Sequence, residues 1–278
     1  MTNTTKGPTV LVLGGTGRTG RRVLGELLAR GCAVRAIVRS RGALAPSVLD
    51  HPALTLLEGS LLSLGDRELQ QAVGGCDAVV SCLGHVISVR GILGPPYRLV
   101  VRALQRVTAA IGLNRPTQPV RVILMSSVAV NDATEAVTRR GAHERFLLAV
   151  LRMLLPPARD NQQAADFLRE TIGDAHPLVE WVIVRPDTLE EGPPGAYALH
   201  EHVVSSVFRP DHTRMANVAH FMAELATNTA TWGRWKGRLP VIIDDTHAGD
   251  GSGHRPLDGR GGTPGLAEGP ATDVVASG

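Results

Sequence analysis

The sequence predicts an α/β fold in which helices cover both faces of a doubly wound parallel sheet. Three observations predict it. The apolar run TVLVL, from Thr9 to Leu13, leads directly into the glycine-rich run GGTGRTG. An amphipathic stretch, RRVLGELLARG, follows at once. Further short apolar runs then alternate with helical patterns along the chain, which is the spacing of strand–helix–strand units in a parallel sheet.

The glycine-rich run predicts a dinucleotide site of the Rossmann type, because it lies between a strand and a helix. Gly14 allows a tight turn with positive φ. Gly17 lets the backbone approach a pyrophosphate, and Gly20 lets the new helix pack against the strand. The helix N-terminus offers N–H groups and partial positive charge to the phosphates. We therefore predict that this run binds the cofactor through Gly14, Thr16, Gly17, Arg18, Thr19 and Gly20.

The end of the second predicted strand, Ala33 to Val38, indicates which cofactor binds. It is followed by Arg39-Ser40-Arg41, with no carboxylate before Val48. Enzymes that use NAD place an acidic residue here for the ribose 2′-hydroxyl, whereas NADP users place an arginine near the 2′-phosphate. Arg39 and Arg18 could both face that phosphate, and the alternative is that they are solvated surface arginines. We predict NADP.

Two more strands are predicted at Leu54 to Leu57 and at Asp77 to Ser81, with a helix from Arg67 to Val73 between them. Ligands of parallel sheets bind beyond the carboxyl ends of the strands. We therefore predict that Ser60 and the next residue, Leu61, bind the cofactor and that Ser60 lies near the adenine. The run that follows the next strand should lie near the nicotinamide, and it comprises Cys82, Leu83, Gly84 and His85.

The second half of the chain continues the alternation. Residues 86–96 form a predicted loop of the substrate wall, rich in glycine and proline. Helices are expected at Tyr97 to Ile111, Gly141 to Leu155, Asp160 (as N-cap) to Thr171, and Val218 to Thr227. Strands are expected at Val120 to Met125, before Ser126 and Ser127, at Val179 to Val184, before Arg185 and Pro186, and at Leu239 to Ile243. We expect Leu189 to Pro210 to be an irregular, substrate-side segment, within a small C-terminal region that faces the substrate.

Composition excludes several classes of protein. The chain has 278 residues, 43% of them hydrophobic, and a net charge of +3 without basic blocks, so we expect no nucleic-acid partner. No signal peptide or membrane-length apolar run is present, and the three cysteines show no metal-type spacing. We expect a soluble cytoplasmic protein without a metal site. The domain should span residues 1–246, and the glycine- and proline-rich stretch at 247–278 should be a disordered tail.

With these motifs the chain resembles an atypical short-chain dehydrogenase/reductase of the NAD(P)H-binding, NmrA-like and flavin-reductase-like branch. The resemblance rests on GGTGRTG, on VRS and MSS after the second and fifth strands, and on DNQQAADFLRE leading to WVIVRP. It implies that Arg39 meets the 2′-phosphate. It also implies that Cys82 to Gly84 line the cofactor and that Ser126, Ser127, Arg185 and Pro186 lie near the nicotinamide.

One departure from the larger family concerns the chemistry. Its catalytic members use a Tyr-x-x-x-Lys pair, whose lysine lowers the tyrosine pKa for proton transfer. The tyrosines and lysines here are Tyr97, Tyr197, Lys6 and Lys236, and none forms the pair. Where the pair would fall the chain reads PPARDNQQ. A hydride could still pass to a flavin or quinone, which needs no strong general acid.

Other candidates for the chemistry each have a structural alternative. Ser127 could hydrogen-bond a substrate oxygen as a catalytic residue, or it could satisfy backbone groups at a strand end. Asp160 could donate a proton if buried, or it could cap a helix. His85 could titrate at the site mouth, or it could be an ordinary surface residue. His200 and His202 have no third ligand nearby in sequence, which argues against zinc.

Two function classes follow from these residues. The first is an NADP-dependent oxidoreductase that transfers hydride to a small organic acceptor such as a flavin or quinone. The second is a non-catalytic NADP-binding redox sensor or regulatory protein of NmrA-like type. The missing pair favours the second class, whereas the loop at residues 86–96 and the segment after Pro186 favour a substrate pocket and the first class.

Overall fold

The structure is a computed structural model and describes residues 7–84, 97–130, 155–206 and 209–245. Its strands alternate with helices as the sequence predicts. The strands are β1 (Thr9–Leu13), β2 (Ala33–Val38), β3 (Leu54–Glu58), β4 (Ala78–Ser81), β5 (Val120–Met125), β6 (Val179–Pro186), β7 (Thr188–Glu190), β8 (Tyr197–His200), β9 (His212–Arg214) and β10 (Val241–Asp244).

The helices of the described residues lie between these strands. They are α1 (Arg18–Ala29), α2 (Pro46–Leu49), α3 (Asp66–Val73), α4 (Leu99–Asn114), α5 (Pro156–Asp166), α6 (Met215–Thr227) and α7 (Thr229–Trp235). A short 3₁₀ turn, Arg41–Ala43, precedes α2, and α5 continues as a π-helical stretch over Phe167–Ile172. None of the helices in the described ranges is long and apolar enough to cross a bilayer.

Eight strands form one sheet in the order β3-β2-β1-β4-β5-β6-β10-β8. All neighbouring pairs are parallel except β10 and β8, which are antiparallel. The first six strands have the Rossmann order, in which the direction of winding reverses between β1 and β4. The predicted doubly wound parallel sheet is confirmed. The crevice at the reversal lies beyond the carboxyl ends of β1 and β4, where the glycine-rich run begins.

The sheet is buried on both faces, because its strands alternate their apolar side chains between two helical layers. Helices α1, α6 and α7 cover one face and α3, α4 and α5 cover the other. In α1 the buried positions Val23, Leu24, Leu27 and Leu28 form one stripe with helical spacing. This packing holds the N-terminus of α1 against the end of β1, and so it positions the glycine-rich run.

The structure differs from the sequence expectations in the second half of the chain. Asp160 is not the N-cap of its own helix, since α5 begins four residues earlier at Pro156, a residue favoured in a first turn. The segment from Leu189 to Pro210 is not wholly irregular. It contains part of β7, which pairs with β9, and it contains β8, which pairs with β10. These pairings are non-local and leave only a weak signal in the sequence.

Several predictions fall on residues outside the described ranges. They concern His85, the loop at residues 86–96, almost all of the helix expected from Gly141 to Leu155, and the expected tail at residues 247–278. Those predictions stay predictions, as does the division of the chain into a domain and a tail.

Candidate cofactor site

The glycine-rich run forms a compact turn between β1 and α1. Gly14 has φ of +74°, the left-handed conformation that the sequence predicts for it. Its carbonyl oxygen accepts a hydrogen bond of 2.9 Å from the N–H of Gly17. A Cβ atom on Gly20 would overlap that same carbonyl oxygen. Gly20 is therefore needed for close packing of α1 on the turn itself, rather than on the strand as we expected.

Gly17 is less tightly enclosed by its protein neighbours than Gly20 is. It has φ of −71°, which any residue adopts. A Cβ there would meet only the Gly14 carbonyl oxygen, at 3.2 Å, and the residue is exposed. The first N–H groups of α1 lie beside it, and such groups have no partner within their helix. An exposed glycine at a helix N-terminus leaves room for an anion, so the turn fits the phosphates of a dinucleotide.

The side chains of the glycine-rich run differ in how far they are buried. Thr19 is buried and Thr16 is half-buried. Arg18 is 55% exposed, and its Nε lies 3.3 Å from Oε1 of Glu191. Arg22, one turn further along α1, also donates to Glu191. Arg18 thus has a carboxylate partner from a distant part of the chain, which nothing near it in sequence indicates.

Arg39 is exposed directly after β2, in the place where the sequence predicts a contact with the 2′-phosphate. Within the described ranges no carboxylate is paired with it. Ser60 is exposed after β3, and its carbonyl oxygen accepts from the N–H groups of Ser63 and Leu64 at 2.8 and 2.9 Å. The neighbouring Leu61 is buried against α3 and α4, so its side chain belongs to the core.

The end of β4 forms one wall of the turn. The N–H of Cys82 donates to Leu13 at 2.9 Å, and a Cβ on Gly14 would lie 2.8 Å from the Cys82 carbonyl oxygen. Burial raises the pKa of the Cys82 thiol to about 12, so the thiol stays neutral. Leu83 is half-buried and Gly84 is exposed. Cys82 therefore contributes backbone and bulk to the wall, and no nucleophile.

The end of β5 brings Ser126, Ser127 and Pro186 together. The Ser126 N–H donates to Val184 at 2.8 Å, and the N–H of Val128 donates to the Pro186 carbonyl oxygen at 3.2 Å. Ser127 Oγ accepts from the N–H of Ala129 at 3.3 Å, as in the structural alternative stated for it. Its hydroxyl hydrogen remains able to donate.

Ser126 differs from Ser127 in having a hydroxyl that is buried without a hydrogen-bond partner among the described residues. Only 8% of Ser126 is exposed. An unsatisfied buried hydroxyl costs about 1–3 kcal/mol and calls for an explanation. The family resemblance implies that Ser126 lies near the nicotinamide end of the cofactor, and a bound group there would supply the missing partner.

Arg185 is fully buried, and its guanidinium donates hydrogen bonds to backbone carbonyl oxygens. Its Nε donates to the Leu239 carbonyl oxygen at 2.8 Å, and Nη2 donates to that of Glu201 at 3.3 Å. These bonds join β6 to the chain before β10 and after β8. The structure thus gives the Arg185 side chain a structural use, and the predicted contact with the nicotinamide stays a prediction.

Asp160 is also buried, at 1% exposure, and it caps a different helix from the expected one. Its Oδ2 and Oδ1 accept from the N–H groups of Val100 and Val101 at 2.8 and 3.1 Å. The carboxylate therefore satisfies the first turn of α4. This geometry gives Asp160 a use as a cap rather than as a proton donor.

Tyr197 and Lys236, which the sequence leaves without a family role, have other partners. The Tyr197 hydroxyl lies 3.0 Å from Nδ1 of His220, and burial raises the pKa of Tyr197 to about 12. Lys236 donates to Glu180 at 2.8 Å. A tyrosine with a raised pKa is a poor proton donor at neutral pH. The described residues contain no group of three or more His, Cys, Asp or Glu side chains that could hold a metal.

Sequence reasoning missed two acidic residues in the segment that follows β6. Asp187, directly after β6, accepts from Ser205 and from the N–H of Asp211. Glu191 contacts α1, as described above. Each carboxylate meets partners far away in sequence or across a loop, so no local spacing could have found these contacts.

Similarity to a curated protein and to solved structures extends over most of the chain. It is 27% identical over 192 residues to a chloroplastic protein of Arabidopsis thaliana, covering 69% of this chain and 63% of that protein. The chain thus matches less than two thirds of that relative's length. An oxidoreductase from Lactococcus lactis is 16% identical with a TM-score of 0.61, covering 85% of this chain and 91% of its own.

Two further solved structures share the fold. A short-chain dehydrogenase/reductase from Veillonella parvula, in complex with NADP, has a TM-score of 0.61 at 15% identity, covering 86% of this chain and 95% of that one. A proposed NADH-flavin reductase from Streptococcus pneumoniae has a TM-score of 0.58 at 16% identity, covering 86% and 100%. The model of the NAD(P)H-binding family matches residues 14–229. This chain belongs to the NAD(P)H-binding family.

Proposed function

We propose that the protein is an NADP(H)-dependent oxidoreductase that transfers a hydride to a small delocalised acceptor, such as a flavin or a quinone. The observation that carries the proposal is the pairing of a dinucleotide turn at Gly14 to Gly20 with a buried, unsatisfied hydroxyl at Ser126. The first feature fits the phosphates. The second lies at the end of β5, where a bound group would complete its hydrogen bonding.

The choice of NADP rests on charge. Arg39 is exposed at the end of β2 without a carboxylate partner among the described residues, so it is available to a 2′-phosphate. Arg18 is less suitable, because Glu191 already lies 3.3 Å from it. That a related fold from Veillonella parvula was solved with NADP supports the same choice.

The choice of acceptor rests on the missing proton donor. NADPH, when bound, supplies the hydride. Reduction of a simple ketone then requires protonation of an alkoxide, and a poised acid contributes ~10²–10⁴-fold to the rate. Tyr197 has a raised pKa, and Asp160 is engaged as a helix cap. Flavins and quinones delocalise the added charge and take their proton from water. A hydrogen bond from Ser127 is therefore sufficient to stabilise the charge on the reduced acceptor.

A second candidate, a non-catalytic NADP-binding sensor, is favoured by one observation. Ser127 Oγ already accepts a backbone hydrogen bond at 3.3 Å, which is a structural use of the candidate catalytic group. In that case the same turn binds the cofactor, and no acceptor is reduced.

Turnover of NADPH against a panel of flavins, quinones, aldehydes and ketones tests the proposal. We expect the loss of reduced-nicotinamide absorbance to be fast with flavins or quinones and slow with simple carbonyl compounds. Rapid reduction of an ordinary ketone contradicts the assigned acceptor class. Tight NADPH binding without turnover of any acceptor favours the sensor, and absence of NADPH binding contradicts both candidates.

A further inference from the structure

The segment that follows β7 reaches back to the glycine-rich run. We call residues 190–196 the strap. Its Glu191 lies 3.3 Å from Arg18 and 4.0 Å from Arg21, and it forms a closer contact with Arg22. Arg18 belongs to the glycine-rich run itself. The strap therefore contacts, through Glu191, the turn on which the phosphates of a dinucleotide would lie.

Contacts at both ends of the strap hold it against β9, α6 and β10. Oε1 of Glu190 lies 2.7 Å from Nδ1 of His212 in β9. At the other end, the N–H of Gly195 donates to Asn217 Oδ1 at 2.9 Å, and Asn217 donates in turn to Asp244 at 2.7 Å. With its ends anchored to β9, α6 and β10, the strap depends on Glu191 for its contact with α1.

The charges of Glu191 and the three arginines allow the strap to contact α1 beside a bound phosphate. One carboxylate faces three arginines, so the cluster keeps a net positive charge and still attracts phosphate. Arg22 is the most buried of the three, with 24% of its side chain exposed, and it also donates to the Arg18 carbonyl oxygen at 2.6 Å. Its guanidinium is therefore held beside the first turn of α1, where it pairs with the Glu191 carboxylate.

We propose that Glu191 is a positioning residue that closes the strap over a dinucleotide bound at the glycine turn and slows its release. This inference rests on the proposed NADP(H) binding. The closing role of Glu191 requires that a cofactor leaving the turn passes these ion pairs, so that they open before release. Single exposed ion pairs are weak, but several arginines act here on one carboxylate, and we expect a change of roughly threefold to tenfold in the release rate.

Stopped-flow measurement of NADPH release from the full chain tests the inference. Glu191→Gln should release NADPH about threefold to tenfold faster than the wild type. Glu201→Gln is the matched control, because Glu201 is an exposed glutamate that pairs with an arginine away from α1, Arg238. Its release rate should equal that of the wild type. Unchanged release in Glu191→Gln overturns the proposal. Slower release also overturns it, because Glu191 would then compete with the phosphates.

A double-mutant cycle with Arg22→Gln separates the ion pair from a general structural effect. In the Arg22→Gln background, Glu191→Gln should accelerate release less than it does in the wild type. Equal acceleration in both backgrounds contradicts an action through Arg22. Melting temperatures without cofactor should stay close to the wild-type value, since about half of the Glu191 side chain is exposed and such ion pairs contribute little to stability. If the wild type fails to bind NADPH, the proposed function fails, whereas normal binding with unchanged release refutes the strap alone.

Discussion

Asp160 in α5 accepts hydrogen bonds from the backbone N–H groups of Val100 and Val101, at 2.8 and 3.1 Å, and so caps α4 rather than its own helix. The first N–H groups of a helix lack partners within it, and a carboxylate there also interacts favourably with the helix dipole. The contact joins two helices on one face of the sheet. It accounts for a buried carboxylate without any part in proton transfer.

The cap predicts a loss of stability on substitution. Asp160→Ala should lower the free energy of unfolding by about 2–3 kcal/mol, because two buried N–H groups lose a charged acceptor. Asp160→Asn keeps one acceptor oxygen and should lose about half as much. Urea unfolding measures both values. An Asp160→Asn protein of wild-type stability that has lost all turnover would instead identify Asp160 as the proton donor.

Gly20 and Gly25 lie on the same helix and should respond to alanine in opposite ways. Gly20→Ala places a methyl group on the Gly14 carbonyl oxygen and should cost about 1–3 kcal/mol, with weaker NADPH binding. Gly25 is exposed, and a Cβ atom added to it would have no neighbour within 4 Å among the described residues. Gly25→Ala should stabilise the protein by about 0.5–1 kcal/mol. Urea unfolding and calorimetric titration with NADPH distinguish the two, and equal effects would contradict the packing argument.

Arg39→Ala should weaken the binding of NADPH much more than that of NADH. The expected difference is about 1.5–3 kcal/mol, the value of a lost hydrogen bond to a charged group. Calorimetric titration of both cofactors measures it, and equal losses would show that Arg39 does not meet the 2′-phosphate.

Alanine substitutions at Ser126 and Ser127 should have different effects on stability, cofactor binding and turnover. Ser126→Ala removes an unsatisfied buried hydroxyl, so the melting temperature without cofactor should stay unchanged or rise, while NADPH binds less tightly. Ser127→Ala should lower turnover without abolishing NADPH binding. Melting curves, calorimetric titration and NADPH oxidation rates measure these effects. Ser126→Ala with unchanged cofactor affinity would show that no bound group completes its hydrogen bonding.

Stability should fall at alkaline pH because of the buried thiol of Cys82. Burial raises the pKa of Cys82 from 9.0 to about 12. Below pH 9 the thiol is neutral in the folded and the unfolded chain, so its full contribution is present. Above pH 9 the unfolded chain loses the proton first, and stability falls by about 1.4 kcal/mol per pH unit until about pH 12.

Urea unfolding at about pH 8 and about pH 10.5 measures this alkaline loss. Burial also raises the pKa of Cys76 to about 11 and that of Tyr197 to about 12, so part of the loss should persist in Cys82→Ala. An identical loss in wild type and Cys82→Ala would contradict the assignment to Cys82.

The Rossmann sheet and the glycine turn could be predicted from the residues alone, because both depend on local patterns. Short β-branched apolar runs that alternate with helical patterns are typical of buried strands, and a glycine directly after such a strand readily adopts the positive φ seen at Gly14. The strand ends at Arg39, Cys82 and Ser126 follow from the same periodicity, since a parallel sheet brings all carboxyl ends to one edge.

Which side chains remain available at that edge depends on contacts between residues that are distant in the chain. Asp160 caps α4, Arg185 binds backbone carbonyl oxygens, and Glu191 contacts Arg18 from 173 residues away. A hydrogen bond or ion pair depends on positions in space, and residues this far apart in the chain meet only through the packing of helices on the sheet. The pairing of β7 with β9 and of β8 with β10 was undetermined by the sequence for the same reason.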